Sequence, residues 1–60
     1  MELSFNRKDF YEASITFPNA IGEVINTIGK DGRLADLPPM TLVVTEITDG
    51  FVIAETTKNG

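Results

Sequence analysis

The dipeptide Asp49-Gly50 is the sequence feature that most constrains the fold. It separates two runs rich in β-branched residues, 41–47 and 51–57. Asp-Gly between such runs is a strong signal for a β-hairpin, because a type I′ turn needs positive φ at both central residues. The sequence therefore predicts an antiparallel hairpin over residues 41–57.

A two-residue turn at this position also predicts the register of the hairpin and the composition of its two faces. The predicted cross-strand pairs are Ile47 with Val52, Glu46 with Ile53, and Val44 with Glu55. Apolar residues then lie on both faces, Val43, Ile47, Val52 and Ala54 on one and Leu42, Val44, Phe51 and Ile53 on the other. One short helix can cover only one face, so the exposed apolar side predicts contact with a second copy or with another protein.

Three further elements are predicted before the hairpin. Residues 2–5 and 10–17 alternate between polar and apolar side chains, which indicates two strands joined by a turn at 6–9. Pro18 ends the second strand because it has no N–H to donate, and Asn19 is a favourable N-cap for a helix. The spacing i, i+3, i+4, i+7 then places four apolar residues on one helical face: Ile21, Val24, Ile25 and Ile28. The third element is therefore a helix of about ten residues.

Together these elements predict an α+β fold with the order ββαββ. A small antiparallel sheet of three to four strands carries one helix on one face, and the 60 residues allow a single domain over 1–60. Because the chain has no Cys and no His, disulfide bonds and the usual zinc sites are excluded. The core is predicted from the face-sharing apolar residues: Tyr11, Ile15, Phe17, Ile21, Val24, Ile25, Ile28, Val43, Ile47 and Val52.

The charge balance limits the classes of partner. Nine Asp and Glu against five Lys and Arg give a formal net charge of −4. Direct nucleic-acid binding and anionic membrane binding both need clustered cations, so neither is expected. No apolar run is long enough to span a membrane, and Glu2 stands where a signal peptide would have an apolar segment. These observations predict a cytoplasmic protein.

The chemistry-bearing residues do not form a catalytic pattern. Ser4 and Ser14 lie in strand patterns, and the chain has no His to act as their base. Glu46 and Glu55 are expected to lie close together on one hairpin face, but a domain this small has little room for a substrate cleft. The segment 29–32 has a Lys between glycines and lacks the Ser or Thr of a phosphate loop. We predict no enzymatic activity, no catalytic residue, no cofactor and no metal site.

A stretch of the chain resembles a known family. It begins with Ala13-Ser14-Ile15-Thr16-Phe17-Pro18, runs into Gly22-Glu23-Val24 and Ile28-Gly29, and continues into the β-branched segment Leu42-Val43-Val44-Thr45-Glu46-Ile47. This pattern resembles the opening of antirestriction proteins of the ArdA type, in which a strand ending in Phe-Pro precedes a short helix. Membership would imply a phage or mobile-element protein that blocks a host defence enzyme by imitating the charge of DNA.

The charge of DNA limits how far such mimicry can extend in one copy. A domain of this size is about 27 Å across, and duplex DNA carries about 16 phosphates over that length. Nine carboxylates offset by five cations cannot reproduce this density. The resemblance therefore implies either a dimer or an inhibitor that fills a single basic patch.

The predicted partner-binding residues cluster at one end of the hairpin: Glu46, Asp49, Phe51 and Glu55. An aromatic side chain among carboxylates suits an interface anchor with a charged rim, and the alternative is that Phe51 belongs to the core. The sequence thus predicts a small acidic inhibitor that binds a protein with a basic surface and forms a homodimer. A structural or oligomerisation module of a larger assembly is the alternative function.

Overall fold

The computed structural model describes residues 2–57, which contain four strands and two short helical segments. In chain order these are β1 (Glu2–Asn6), α1 (Arg7–Glu12), β2 (Val24–Asn26), a 3-10 helix (Gly32–Asp36), β3 (Thr41–Ile47) and β4 (Phe51–Thr56). All neighbouring strands are antiparallel, and the sheet order is β1-β4-β3-β2. The α+β class and the small antiparallel sheet with one α-helix are confirmed. The predicted order ββαββ is wrong, because α1 follows the first strand directly.

The hairpin of β3 and β4 forms around Asp49-Gly50 as predicted, but the type I′ turn is wrong, because neither Asp49 nor Gly50 has positive φ. Two predicted pairs are confirmed near the turn, Ile47 with Val52 and Glu46 with Ile53. The third is wrong, since a β-bulge between Val44 and Glu46 shifts the register and pairs Val44 with Ala54. A bulge inserts one extra residue into one strand, so all pairs beyond it differ by one position.

The bulge changes which face of the hairpin the apolar residues of β3 occupy. Because side chains alternate along a strand, a slip of one residue moves every side chain beyond it to the other side. The hairpin residues that share the buried face without any solvent exposure are Leu42, Val44, Val52 and Ala54. Val43 is turned to the opposite face, where it lies with Glu55 and Ile53. The hairpin therefore has one apolar face and one mixed face, instead of the two apolar faces that an unbulged register predicts.

Residues 6–9 start a helix rather than a turn between two strands. The Asp9 amide donates to Asn6 Oδ1 over 3.0 Å, and the Asn6 amide donates to Asp9 Oδ2 over 2.9 Å. This reciprocal capping box satisfies two backbone donors at the helix start. The predicted strand over 10–17 is consequently wrong: its first residues belong to α1, and Phe10 points into the core.

The helix predicted after Asn19 is also absent from the structure. Val24–Asn26 forms β2 against β3, with Ile25 opposite Leu42. Adjacent β-branched residues favour a strand once a partner strand is available. Gly22, with φ of 98°, breaks helical geometry upstream. Asn19 is not a helix N-cap, because no helix directly follows it, and its amide donates to the Glu23 carboxylate at 2.9 Å.

The 3-10 helix is fastened to α1 by an ion pair and by close backbone packing. Arg33 Nη1 lies 3.3 Å from Asp9 Oδ2, and the Arg33 guanidinium lies over the Phe5 ring. Gly32, with φ of 69°, comes so close to Glu12 that an added Cβ would lie 2.9 Å from the Glu12 Cβ. These contacts hold both helical segments on the same side of the sheet.

The core lies between this side of the sheet and the two helical segments. Its fully or almost fully buried apolar residues are Phe5, Phe10, Ala13, Ile25, Leu34, Leu42, Val44, Val52 and Ala54. Of the predicted core, Ile25 and Val52 are confirmed, and Ile15, Phe17 and Ile47 pack at its margin. The prediction of burial is wrong for four residues, whose exposed fractions range from 63% to 85%: Tyr11, Ile21, Val24 and Ile28. Within residues 2–57, no helix has the length and apolar character needed to cross a bilayer.

Candidate partner-binding surface

One face of the sheet has no covering layer among the described residues. The two helical segments pack on the other face, as the burial of Phe10 and Leu34 shows. We call the uncovered side the open face, and the strand register assigns it these residues: Glu2, Ser4, Asn6, Val24, Asn26, Thr41, Val43, Glu46, Phe51, Ile53 and Glu55. None of them is buried. A four-stranded sheet with one open face therefore offers its side chains to a partner.

Four apolar side chains form a diagonal band across the open face, which we call the apolar stripe. Val24 on β2 lies opposite Val43 on β3, and the band continues through Ile53 to Phe51 on β4. Val24 is 64% exposed and Phe51 is 40% exposed. Burying such side chains in a complex removes apolar surface from water at about 25 cal/mol per Å². The stripe is thus a source of binding free energy that the isolated chain does not use.

Carboxylates flank the apolar stripe on both sides, and we call them the acidic rim. Glu2 on β1 lies directly opposite Glu55 on β4, and Glu46 lies opposite Ile53 on the other flank. None of the three takes part in an ion pair within residues 2–57. Carboxylates without cationic neighbours produce a locally negative potential around an apolar centre.

The described cations form their ion pairs and hydrogen bonds outside the acidic rim. Lys8 Nζ lies 3.9 Å from Glu12 Oε2 on α1. Arg33 is paired with Asp9, and Lys30 Nζ lies 3.5 Å from the Ile28 carbonyl. Arg7 lies over the Phe17 ring at 4.2 Å from its centroid. Among residues 2–57, no cation therefore pairs with a carboxylate of the open face.

The structure brings three of the four predicted partner-binding residues together. Glu46, Phe51 and Glu55 share the open face, and Phe51 is not a core residue. Asp49 lies apart from them in the turn, where its carbonyl accepts from Arg7 Nε over 2.8 Å. Sequence reasoning placed Ile53 on the face of Phe51 but missed the other members of the surface, Glu2, Val24 and Val43. The pairing of β1 with β4, the pairing of β2 with β3 and the bulge in β3 place them there, and none of these has a local sequence signal.

A cleft of about 500 Å³ lies beside the hairpin turn. Its lining residues are Arg7, Phe17, Pro18, Asn19, Ile47, Thr48 and Asp49. This volume is larger than expected for a domain predicted to have little room for a substrate cleft. The cleft holds a single carboxylate, that of Asp49, so it has no carboxylate pair for acid–base work. Within residues 2–57, no group of three or more acidic side chains is arranged to hold a metal ion.

Comparison with protein family models, with curated proteins and with solved structures finds no match for this chain.

Proposed function

We propose that this chain is a small acidic, non-enzymatic inhibitor that binds a basic, nucleic-acid-binding surface of a host defence enzyme in the cytoplasm. The observation that carries the proposal is the open face, on which an apolar stripe runs between carboxylates and no described cation is present. The phage or mobile-element origin comes from the sequence resemblance to ArdA-type antirestriction proteins, although the strand and helix of that pattern do not form at Phe17-Pro18. Nothing in the proposal requires a catalytic residue or a cofactor.

The charge distribution favours a protein partner over a nucleic acid. Phosphate backbones are bound by clustered Lys and Arg, whereas the acidic rim would repel them. A nucleic-acid-binding protein presents the complementary surface, which is rich in cations. Occupying that surface prevents the partner from binding its own nucleic acid, and this is how binding becomes inhibition.

The two parts of the open face contribute differently to binding. Charges at the rim of an interface mainly raise the association rate, and buried aromatic anchors supply most of the holding energy. We assign the first role to Glu2, Glu46 and Glu55 and the second to Phe51 with Val24. This division explains why the stripe and the rim occur on the same face.

The dimensions of the domain favour local plugging over imitation of a long DNA duplex. The domain measures 32 × 22 × 15 Å, and DNA presents about 19 phosphates over its longest axis. The open face carries three described carboxylates. Such a surface fits one basic patch of the target rather than a full DNA-binding groove.

The test is inhibition of DNA cleavage by a panel of bacterial restriction nucleases. We expect the wild-type chain to slow at least one of them, and the double variant Glu46→Lys/Glu55→Lys to lose this effect. Asp31→Lys/Asp36→Lys is the matched control, since it changes the net charge equally at two exposed positions away from the open face. Inhibition that survives Glu46→Lys/Glu55→Lys, or a panel without any inhibited nuclease, would contradict the proposal.

A second candidate function, an oligomerisation module, has one observation in its favour. Ile28 is 63% exposed and lines a cleft of about 320 Å³ together with Leu37 and Pro39. We propose that a homodimer, the state predicted from the sequence, forms through this cleft. Face-to-face pairing through the open faces is disfavoured because it would oppose two acidic rims.

A further inference from the structure

We infer that the partner element that binds the open face is a cationic amphipathic α-helix of about three turns, lying along the apolar stripe. The inference rests on the proposed function and deepens it, because it narrows a basic protein surface to one kind of structural element. It follows from the length of the stripe, the state of the sheet edges and the placement of the carboxylates.

The length of the apolar stripe matches that of a short helix. From Val24 on β2 to Phe51 on β4 the stripe crosses two strand spacings, each about 4.8 Å. Val24 is level with Val43 and Glu55, and Phe51 lies four residues along β4 from Glu55, a rise of about 13 Å. The two ends of the stripe are therefore about 16 Å apart, which equals three turns of α-helix at 5.4 Å per turn, and Glu46 lies between these ends while Val43 and Ile53 lie on a parallel line beside it. Apolar residues at i, i+4, i+7 and i+11 of a partner helix would follow this line.

The sheet edges favour a helix over an added strand as the occupant. A peptide strand binds at a sheet edge through main-chain hydrogen bonds. One edge strand, β2, is only three residues long. At the other edge, Arg33 Nη1 donates to the Ser4 carbonyl of β1, which removes an acceptor from strand pairing. Short or obstructed edges resist strand addition, so the side chains of the open face are the larger available surface.

The acidic rim determines the charge of that helix. Glu2 and Glu55 lie on one flank of Val43 and Ile53, and Glu46 lies on the other, in the line between Val24 and Phe51. A helix lying along the stripe places the residues that border its apolar face over both flanks. Lys or Arg at these positions meets the carboxylates, whereas Asp or Glu would be repelled. A second copy does not fit, because its open face repeats the same carboxylates and its α1 is only six residues long.

Two labelled peptides of identical composition test the inference. One is a Leu/Lys helix of about three turns with Leu at i, i+4, i+7 and i+11, and the other is a scramble that distributes the Leu around the helix. By fluorescence anisotropy at low salt we expect the amphipathic peptide to bind the wild-type chain at least tenfold more tightly than the scramble. We expect Phe51→Ala to reduce this preference and Glu46→Lys/Glu55→Lys to weaken binding about tenfold, while Asp31→Lys/Asp36→Lys leaves most of the affinity.

Three outcomes would overturn the inference. Equal affinity for the two peptides would show that the open face does not select an amphipathic helix. A loss of affinity in Asp31→Lys/Asp36→Lys as large as in Glu46→Lys/Glu55→Lys would show that the peptide binds elsewhere on the chain. A dimer of the chain that the peptide dissociates would make a second copy the occupant. If a nuclease is inhibited and neither peptide binds more tightly, the inference of a helical partner element is refuted and the proposed inhibitory function is retained. If the amphipathic peptide binds more tightly and no nuclease is inhibited, the inference of a helical partner element is supported and the inhibitory function is refuted.

Discussion

Glu2 and Glu55 lie directly opposite each other on the neighbouring strands β1 and β4, with both side chains on the open face. Like charges in directly opposed positions destabilise an antiparallel strand pair. Neither carboxylate forms an ion pair with a Lys or Arg of residues 2–57, and we expect their repulsion to lower the free energy of unfolding. We interpret this as a stability cost of an acidic rim that serves a cationic partner.

The first prediction is that Glu55→Lys stabilises the fold and weakens partner binding. The substitution replaces repulsion from Glu2 by attraction, and we expect the free energy of unfolding to rise by about 0.2–1 kcal/mol. For a domain of this size, 1 kcal/mol corresponds to about 4–8 °C in the midpoint of thermal unfolding, which circular dichroism can follow.

Glu46→Lys is the matched control for this stability effect. Glu46 lies opposite Ile53, so its substitution relieves no opposed charge, although it too should weaken partner binding. High salt should reduce the stabilisation by Glu55→Lys, because it screens exposed charges. Identical midpoints for the two variants at low salt would show that the opposed pair has no energetic effect.

The second prediction concerns the start of α1. Asn6→Ala removes the side-chain oxygen that accepts from the Asp9 amide, and loss of such a cap costs about 0.5–2 kcal/mol. Asn19→Ala is the comparison, since Asn19 is the N-cap of the helix that the sequence predicts and the structure lacks. We expect urea unfolding to detect destabilisation in the first variant only. Destabilisation by Asn19→Ala and not by Asn6→Ala would instead support the predicted helix after Asn19.

The third prediction separates strand from helix over residues 21–28. Ile25 is 5% exposed and Ile28 is 63% exposed, whereas a helix would bury both. Ile25→Ala should cost about 2–5 kcal/mol, because it leaves a cavity in the core. Ile28→Ala should cost much less. Comparable losses from both variants in chemical unfolding would contradict the assignment of Val24–Asn26 to β2.

The hairpin was predictable because its signal is local, whereas the rest of the sheet depends on contacts distant in sequence. Asp49-Gly50 predicts the turn and the pairs next to it. The bulge between Val44 and Glu46 has no comparable signal, and it decides which side of the sheet Val43 occupies. Strict alternation therefore predicts the side-chain faces correctly between the turn and Glu46, and wrongly for the residues of β3 that precede the bulge.

Local patterns misled the prediction where two periodicities fitted the same residues. The alternation over 10–17 is typical of a strand, but the capping box between Asn6 and Asp9 starts a helix first. The spacing of Val24, Ile25 and Ile28 is typical of a helix, but pairing with β3 makes a strand of 24–26. Among the site residues, Glu46, Phe51 and Glu55 were predicted from the hairpin pattern alone. Glu2 was not, because its position depends on the pairing of β1 with β4.

The fourth prediction is a concentration-dependent homodimer. Sedimentation at micromolar concentration should show association of the 6.6 kDa chain, and Ile28→Glu should reverse it by placing a charge in the apolar cleft. Glu46→Lys should leave the dimer intact, because the open face is not its interface. A monomer at every concentration would remove the oligomerisation module as an alternative function.

The most direct test of the open face as the binding surface is an NMR titration of the labelled chain with the amphipathic Leu/Lys peptide. We expect the backbone amide shifts to change most at the residues of the apolar stripe, Val24, Val43, Ile53 and Phe51. We expect them to change least along α1 on the opposite side of the sheet. Changes centred on α1 or on the cleft beside Asp49, with the stripe unaffected, would contradict the account.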